Sequence, residues 1–294
     1  MGLSWLTEYK NSLKALEIEE FFDLVFYRPL GFLVVKAVSR TAITPNQLTY
    51  TALFFGVIAG ISFSFGTKEA FVLGGLSYLL FDVFDCSDGQ LARLKRNGTL
   101  TGRIIDGVAD YLAGIAVYIG ICFGYVANTE NRLLWFILLI VAAGSHIVHS
   151  MITDFYRQRF IRYGFGEKRA LGNSDAPYID ELMRLRKEGG SKFNRVILSI
   201  YLAYSSRQSK ITRNESVTES KFTVTPGVYY HNNAAIMRSW TFLGPTTQIT
   251  FLVITALFFR PDIYILGMIF GFNLLAIILF ICQQVIDRRL AKIV

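Results

Sequence analysis

Residues 82–110 read DVFDCSDGQLARLKRNGTLTGRIIDGVAD and place five aspartates, Asp82, Asp85, Asp88, Asp106 and Asp110, inside two apolar segments. An aspartate at the centre of a membrane helix costs roughly 2.5–3.5 kcal/mol, less toward the ends. Five unpaired ones would cost on the order of 10 kcal/mol, as much as the net stability of a domain. The positive side chains at hand, Arg93 and Arg103, fall near the helix ends. Divalent cations are the better compensation. The spacing agrees: Asp85 and Asp88 are i, i+3, and Asp106 and Asp110 are i, i+4, so each pair shares a helix face. Folding the chain near Asn97 sets Asp88 level with Asp106 and Asp85 nearly level with Asp110. Four carboxylates are thus expected in one cage, and their hard oxygens suit Mg2+ or Mn2+.

The rest of the chain supports a membrane setting. Of 294 residues, 52% are hydrophobic and 18% charged, against about 25% charged in soluble domains; mean hydropathy is +0.40. An all-α membrane protein forming a single domain over 1–294 is expected, with six transmembrane helices at about 45–65, 69–93, 101–125, 133–155, 234–259 and 262–286. Thr44-Pro45-Asn46 reads as the start of the first span, with Thr as cap and Pro in the first turn. An N-terminal amphipathic surface helix is expected over 19–40, with Pro29 kinking it, acids at its start and Lys36 and Arg40 at its end. Met1 to Glu20 has no apolar core of a signal peptide. The three cysteines, Cys86, Cys122 and Cys282, lack metal-ligand spacing and read as small buried residues.

Basic residues divide unevenly between the two faces. Lys36, Arg40, Lys95, Arg96, Arg157, Arg159, Arg288, Arg289 and Lys292 fall on one side, and Lys68, Arg132 and Arg260 on the other. Both termini and the aspartate site are therefore expected on the cytoplasmic face. The long connection 156–232 is expected to be a partly helical cytoplasmic insertion between helices 4 and 5. It carries 14 Lys and Arg against 7 Asp and Glu. Asn173 to Lys187 reads as a polar helix closed by Gly189-Gly190, and Phe193, Val196, Ile197, Ile200, Tyr201 and Tyr204 recur at helical spacing. Two readings stand: a basic helix on anionic lipid headgroups, or a lid over a cytoplasmic active site.

From Asp85 to Asp110 the chain matches D-x-x-D-G-x-x-A-R-x8-G-x3-D-x3-D without a gap, eight fixed positions in 26 residues. That pattern resembles the signature of the CDP-alcohol phosphotransferases, integral membrane enzymes of phospholipid synthesis. The resemblance is strongest from about Thr44 to Val117. It implies that Asp85, Asp88 and Asp106 bind a pair of divalent metals, and that Asp110 adds to metal binding and serves as catalytic base. It implies that Gly89, Ala92 and Gly102 line a cytidine pocket, that Arg93 lies near the nucleotide's diphosphate, and that Asn46 touches the nucleotide. Asp82 is outside the motif. The implied reaction passes a substituted phosphate from a CDP-alcohol donor to an acceptor hydroxyl and releases CMP. The resemblance also suggests a homodimer; no nucleic-acid partner is expected.

For the acceptor, Arg238 near the cytoplasmic end of the fifth span, with Arg157 and Arg159 closing the fourth, suits an anionic alcohol, because guanidinium grips phosphate bidentately. The alternative for each is a headgroup-facing arginine. The favoured form is CDP-diacylglycerol with a polar acceptor such as inositol phosphate or glycerol phosphate. The other is a CDP-linked headgroup passed to a lipid or polyol. An aspartate-rich membrane prenyltransferase and a cation transporter are remote alternatives. His146 and His149 are expected to make polar contacts within the bundle, and Gly244-Pro245 to bend the fifth helix.

Overall fold

The computed structural model describes residues 2–13, 16–166, 176–189, 191–212 and 225–291. The start of the helix expected from Asn173, Gly190 and Lys292 lie outside these. Among the described residues the regular structure is helical. In chain order it comprises α1 (Gly2–Ser12), α2 (Arg28–Val38), α3 (Pro45–Ser64), α4 (Lys68–Lys95), α5 (Leu100–Gly124), α6 (Arg132–Gly164), α7 (Ala176–Lys187), α8 (Lys192–Thr212), α9 (Pro226–Trp240), α10 (Pro245–Leu257), α11 (Pro261–Leu266) and α12 (Asn273–Leu290). Among the described residues, five spans are long and apolar enough to cross a membrane: α3, α4, α5 with the turn after it, α6, and the run Pro261–Leu290 made of α11, a π-turn and α12. A sixth is counted if Pro226–Leu243 and Pro245–Leu257, bent by 41°, are one span. This is the architecture of an integral membrane protein.

Small residues bring α3 and α5 together. A Cβ on Gly56 would stand 2.5 Å from that of Ala113, and Cβ atoms on Gly60 and Gly120 would run into the backbone carbonyls of Ala116 and Gly60. In lipid, where no hydrophobic force drives helix association, such close backbone approach is a main source of packing energy. The Phe63 ring fills the space over Gly74 of α4 in the same way, locking three helices around Phe71, Tyr78 and Phe81. Gly120→Leu should therefore prise α5 from α3. Because the obstacle is backbone, we expect a loss near the upper end of overpacking costs, about 3 kcal/mol, read as a lowered melting temperature in detergent.

The turn joining α4 to α5 is closed by local chemistry. Arg96 takes the left-handed conformation that ends α4, and the Thr99 hydroxyl accepts from the Gly102 N–H at 2.9 Å. Lys95 donates to the carbonyls of Thr41 and Ile43 at 2.9 and 2.8 Å, tying the turn to the entry of α3. That entry has Pro45 in its first turn, and Thr44 N–H donates to the Gln47 side chain at 2.9 Å.

The N-terminal part differs from the single amphipathic helix expected over 19–40. A π-turn, Asp23–Tyr27, runs into α2, so Pro29 sits in the first turn of a new helix. Glu19, Glu20, Asp23 and Arg28 are buried. Glu19 pairs with Arg28 at 2.9 Å, so these acids answer partners inside the bundle rather than the helix dipole alone. The preceding residues form α1, which lies against α4.

Candidate functional site

Asp85 and Asp88 of α4 and Asp106 of α5 each present a carboxylate oxygen, and the three oxygens lie within 4.8 Å of one another. Asp88 is buried and accepts a hydrogen bond from the hydroxyl of Thr49 on α3. Sequence reading missed Thr49; the available signal was a hydroxyl one turn beyond Asn46 on the first span. Asp110 is not in this group of three. It sits one turn further along α5 with an exposed side chain. Asn46 and Gly102 do come together: a Cβ on Gly102 would stand 2.8 Å from Asn46 Oδ1. Gly89 lies under the Arg93 guanidinium, and Ala92 faces Gly98 across the turn. Three hard oxygen donors this close fit a divalent cation.

The region holding all of these residues is recognised by a family model. Residues 42–166 match the model described as CDP-alcohol phosphatidyltransferase. This segment is similar to the CDP-alcohol phosphatidyltransferase family. The chain is also similar to the "Bifunctional IPC transferase and DIPP synthase" of Thermococcus kodakarensis, with 27% identity over 55% of this chain and 33% of that protein. It is 33% identical to the "Phosphatidylinositol phosphate synthase" of Mycobacteroides abscessus over 43% of this chain and 54% of the relative. To the "Archaetidylinositol phosphate synthase" of Pyrococcus horikoshii it is 26% identical, over 38% and 55%. The matches thus span about a third to a half of the relatives' lengths.

Arg93 of the phosphatidyltransferase motif is turned toward α1, where its Nε donates to the Ser12 carbonyl. Gln90 reaches the same neighbourhood, donating to Ser12 Oγ and the Arg28 carbonyl, each at 3.2 Å. The three arginines considered for an acceptor lie in separate settings. Arg238 is exposed and donates to the Leu16 carbonyl at 3.2 Å. Arg157 faces Glu20 at 3.6 Å, and Arg159 pairs with Asp287 at 2.8 Å over the Tyr156 ring. His146 and His149 have different partners, the Tyr118 hydroxyl and the Asn273 side chain, as expected of bundle contacts.

A second acidic group lies on the side of α4 toward α10. Asp82 and Asp23 are buried there, and Asp23 accepts from Cys86 and Thr246, each at 3.3 Å. Glu20 accepts from the Thr247 N–H at 3.1 Å. It thereby caps the start of α10 at the break between the bent helices, where backbone donors would otherwise be costly to bury. Gly244 leaves the room, for a Cβ there would strike the Glu20 carboxylate. Burial, reinforced by the charge of Asp23 and opposed by Arg157, pushes the Glu20 carboxyl up to about 8. The folded chain then keeps a proton that an unfolded chain releases near the ordinary value of about 4.3. Stability from this proton is full below the unfolded value and is lost as pH rises toward the folded one. The melting temperature in detergent should fall as pH is raised through that window, and Glu20→Gln, which imitates the protonated side chain, should flatten the fall.

Proposed function

We propose that the chain transfers a substituted phosphate from a CDP-alcohol to an acceptor hydroxyl with release of CMP, and that CDP-diacylglycerol and inositol phosphate are the substrate pair. The observation that carries the reaction class is the convergence of Asp85, Asp88 and Asp106 within a matched phosphatidyltransferase domain. The acceptor reading draws on two relatives whose names end in inositol phosphate synthase.

Asp85, Asp88 and Asp106 would hold one or two Mg2+ or Mn2+ ions, with Asp110 at their edge. Bound there, the metal supplies neutralisation of the charge that develops on the diphosphate, the main demand of phosphoryl transfer. Thr49 holds the Asp88 carboxylate in position. Asn46 and Gly102 form one wall of the nucleotide pocket, and Gly89 and Ala92, which have little or no side chain, keep the α4 side open. Arg93 reaches the diphosphate by exchanging its Ser12 contact. The acceptor hydroxyl is a weak nucleophile, so a base must take its proton as the oxygen attacks the β-phosphorus. Asp110 is that base, and CMP leaves.

Arg238 and Arg157 receive the acceptor's phosphate, while Arg159, paired with Asp287, braces the end of α6. Arg238→Ala should raise the apparent KM for inositol phosphate by about 10- to 100-fold, the equivalent of one charge-assisted hydrogen bond, with the donor KM unchanged. An unaltered acceptor KM would remove the main support for an anionic acceptor. The bent pair makes the sixth span, and the loop charges set both termini and the site on the cytoplasmic side.

The deciding experiment measures CMP release in detergent, crossing CDP-diacylglycerol and CDP-linked headgroups with inositol phosphate, glycerol phosphate and neutral alcohols, with and without Mg2+ or Mn2+. Absence of CMP from every pairing with metal present would sink the reading. Inorganic diphosphate as product would point to prenyl transfer instead.

A further inference from the structure

The hairpin of α7 and α8 lies beyond the matched family segment, which stops at residue 166. Its inner side is a packed cluster: Leu198 is fully buried among Tyr178, Leu182 and Leu185, and the cluster closes on Leu100 and Ile104 of α5. Ile104 is two residues from both Gly102 and Asp106, so the hairpin clasps the end of α5 that enters the site.

The outer side is apolar as well. Phe193, Val196 and Ile200 of α8 are 57%, 56% and 65% exposed. At about 100° per residue they sit roughly 160° around the helix from Leu198, Tyr201 and Leu202, so α8 presents two opposed apolar faces. On α7, Ile179 and Met183 are also exposed, one turn apart. On the same helical reckoning Arg186 and Lys187 border that second strip. Exposed Lys192 stands beside the first in sequence. Arg184 pairs with both Glu181 and Glu188, which masks two of the hairpin's acids.

Two observations say what covers this face. An exposed apolar column of α5, Val108, Leu112 and Ile115, starts one turn beyond Ile104; on a helix long and apolar enough to cross a membrane, this places the hairpin at the end of the span. The surrounding segment 156–232 carries 14 basic against 7 acidic residues, the balance of a surface that meets anionic headgroups. Apolar side chains bordered by Lys and Arg are the pattern of a helix lying in the interface. We propose that the outer face of the α7–α8 hairpin docks on the anionic surface of the chain's own bilayer. Lipid then presses the hairpin onto Leu100 and Ile104 and steadies the start of α5. The docking stands on the surface alone; its consequence for turnover rests on the function proposed above.

The test uses the full chain in nanodiscs with Cys122 and Cys282 replaced by serine and one bimane label placed through Val196→Cys, Ile200→Cys or, as a water-facing control, Glu188→Cys. In phosphatidylcholine mixed with phosphatidylglycerol, doxyl-labelled lipid should quench most of the emission at 196 and 200 and spare 188. In phosphatidylcholine alone the quenching should drop several-fold. Equal quenching in both lipids would overturn the anionic preference. No quenching at 196 and 200, or their disulfide cross-linking between two copies without quenching, would overturn the docking and assign the face to water or to a second chain. CMP release plays no part in the readout, so an inactive chain tests the surface equally well.

Discussion

Asp110→Asn abolishes CMP release and leaves the bundle assembled: this is the expected result for a carboxylate whose task is to accept a proton. Asn keeps the size and most of the hydrogen-bonding capacity of Asp but has no basic oxygen. General-base catalysis is worth about 10²- to 10⁴-fold, so turnover should fall by that factor with the donor KM little changed. The side chain is exposed and lies outside the group of three mutually close carboxylates, so the substitution neither opens a cavity nor removes a member of that group. Elution as a single species and an unchanged melting temperature check the first point. A normal rise in melting temperature on adding Mg2+ checks the second. Near-normal turnover with metal present would refute the assignment.

Counting residues either side of Asn97 sufficed to set Asp88 beside Asp106, because two antiparallel helices joined by a four-residue turn, Arg96–Thr99, have little freedom of register. The same counting sets Asp110 one turn beyond Asp106 on α5, beside the group of three mutually close carboxylates. The bend at Gly244-Pro245 was legible, since a proline after a glycine marks a break on its own. The partner that makes the bend tolerable was not. Glu20 lies 227 residues from Thr247, and acids at the start of an amphipathic segment look the same whether they face water or cap a buried helix. Thr49 escaped for a related reason. A lone hydroxyl in a membrane helix usually bonds its own backbone, and the Thr49 hydroxyl shares its one proton between the Pro45 carbonyl at 3.3 Å and the Asp88 carboxylate.

Asp88→Asn separates a metal ligand from a merely structural aspartate, because the two roles predict opposite responses to metal. Three carboxylates with oxygens within 4.8 Å repel one another when ionised. At that separation and an effective dielectric of about 20, each pair costs roughly 3–4 kcal/mol. Without metal, the amide should relieve that strain, and the variant should melt at or above the temperature of the natural chain despite losing a charge partner for Thr49. With Mg2+ or Mn2+ the order should reverse. A ligand present at 100 times its Kd adds about 2.7 kcal/mol to the state that binds it, so the natural chain should gain several degrees and the variant little. CMP release should fall by at least about 10³-fold and stay low at high metal concentration, consistent with the several kcal/mol a bound ion contributes to transition-state charge stabilisation. Thr49→Val should lie between the two, weakening the metal response while leaving the charge count intact. A variant that lost stability without metal and still responded to it would make Asp88 a packing residue and move the metal elsewhere.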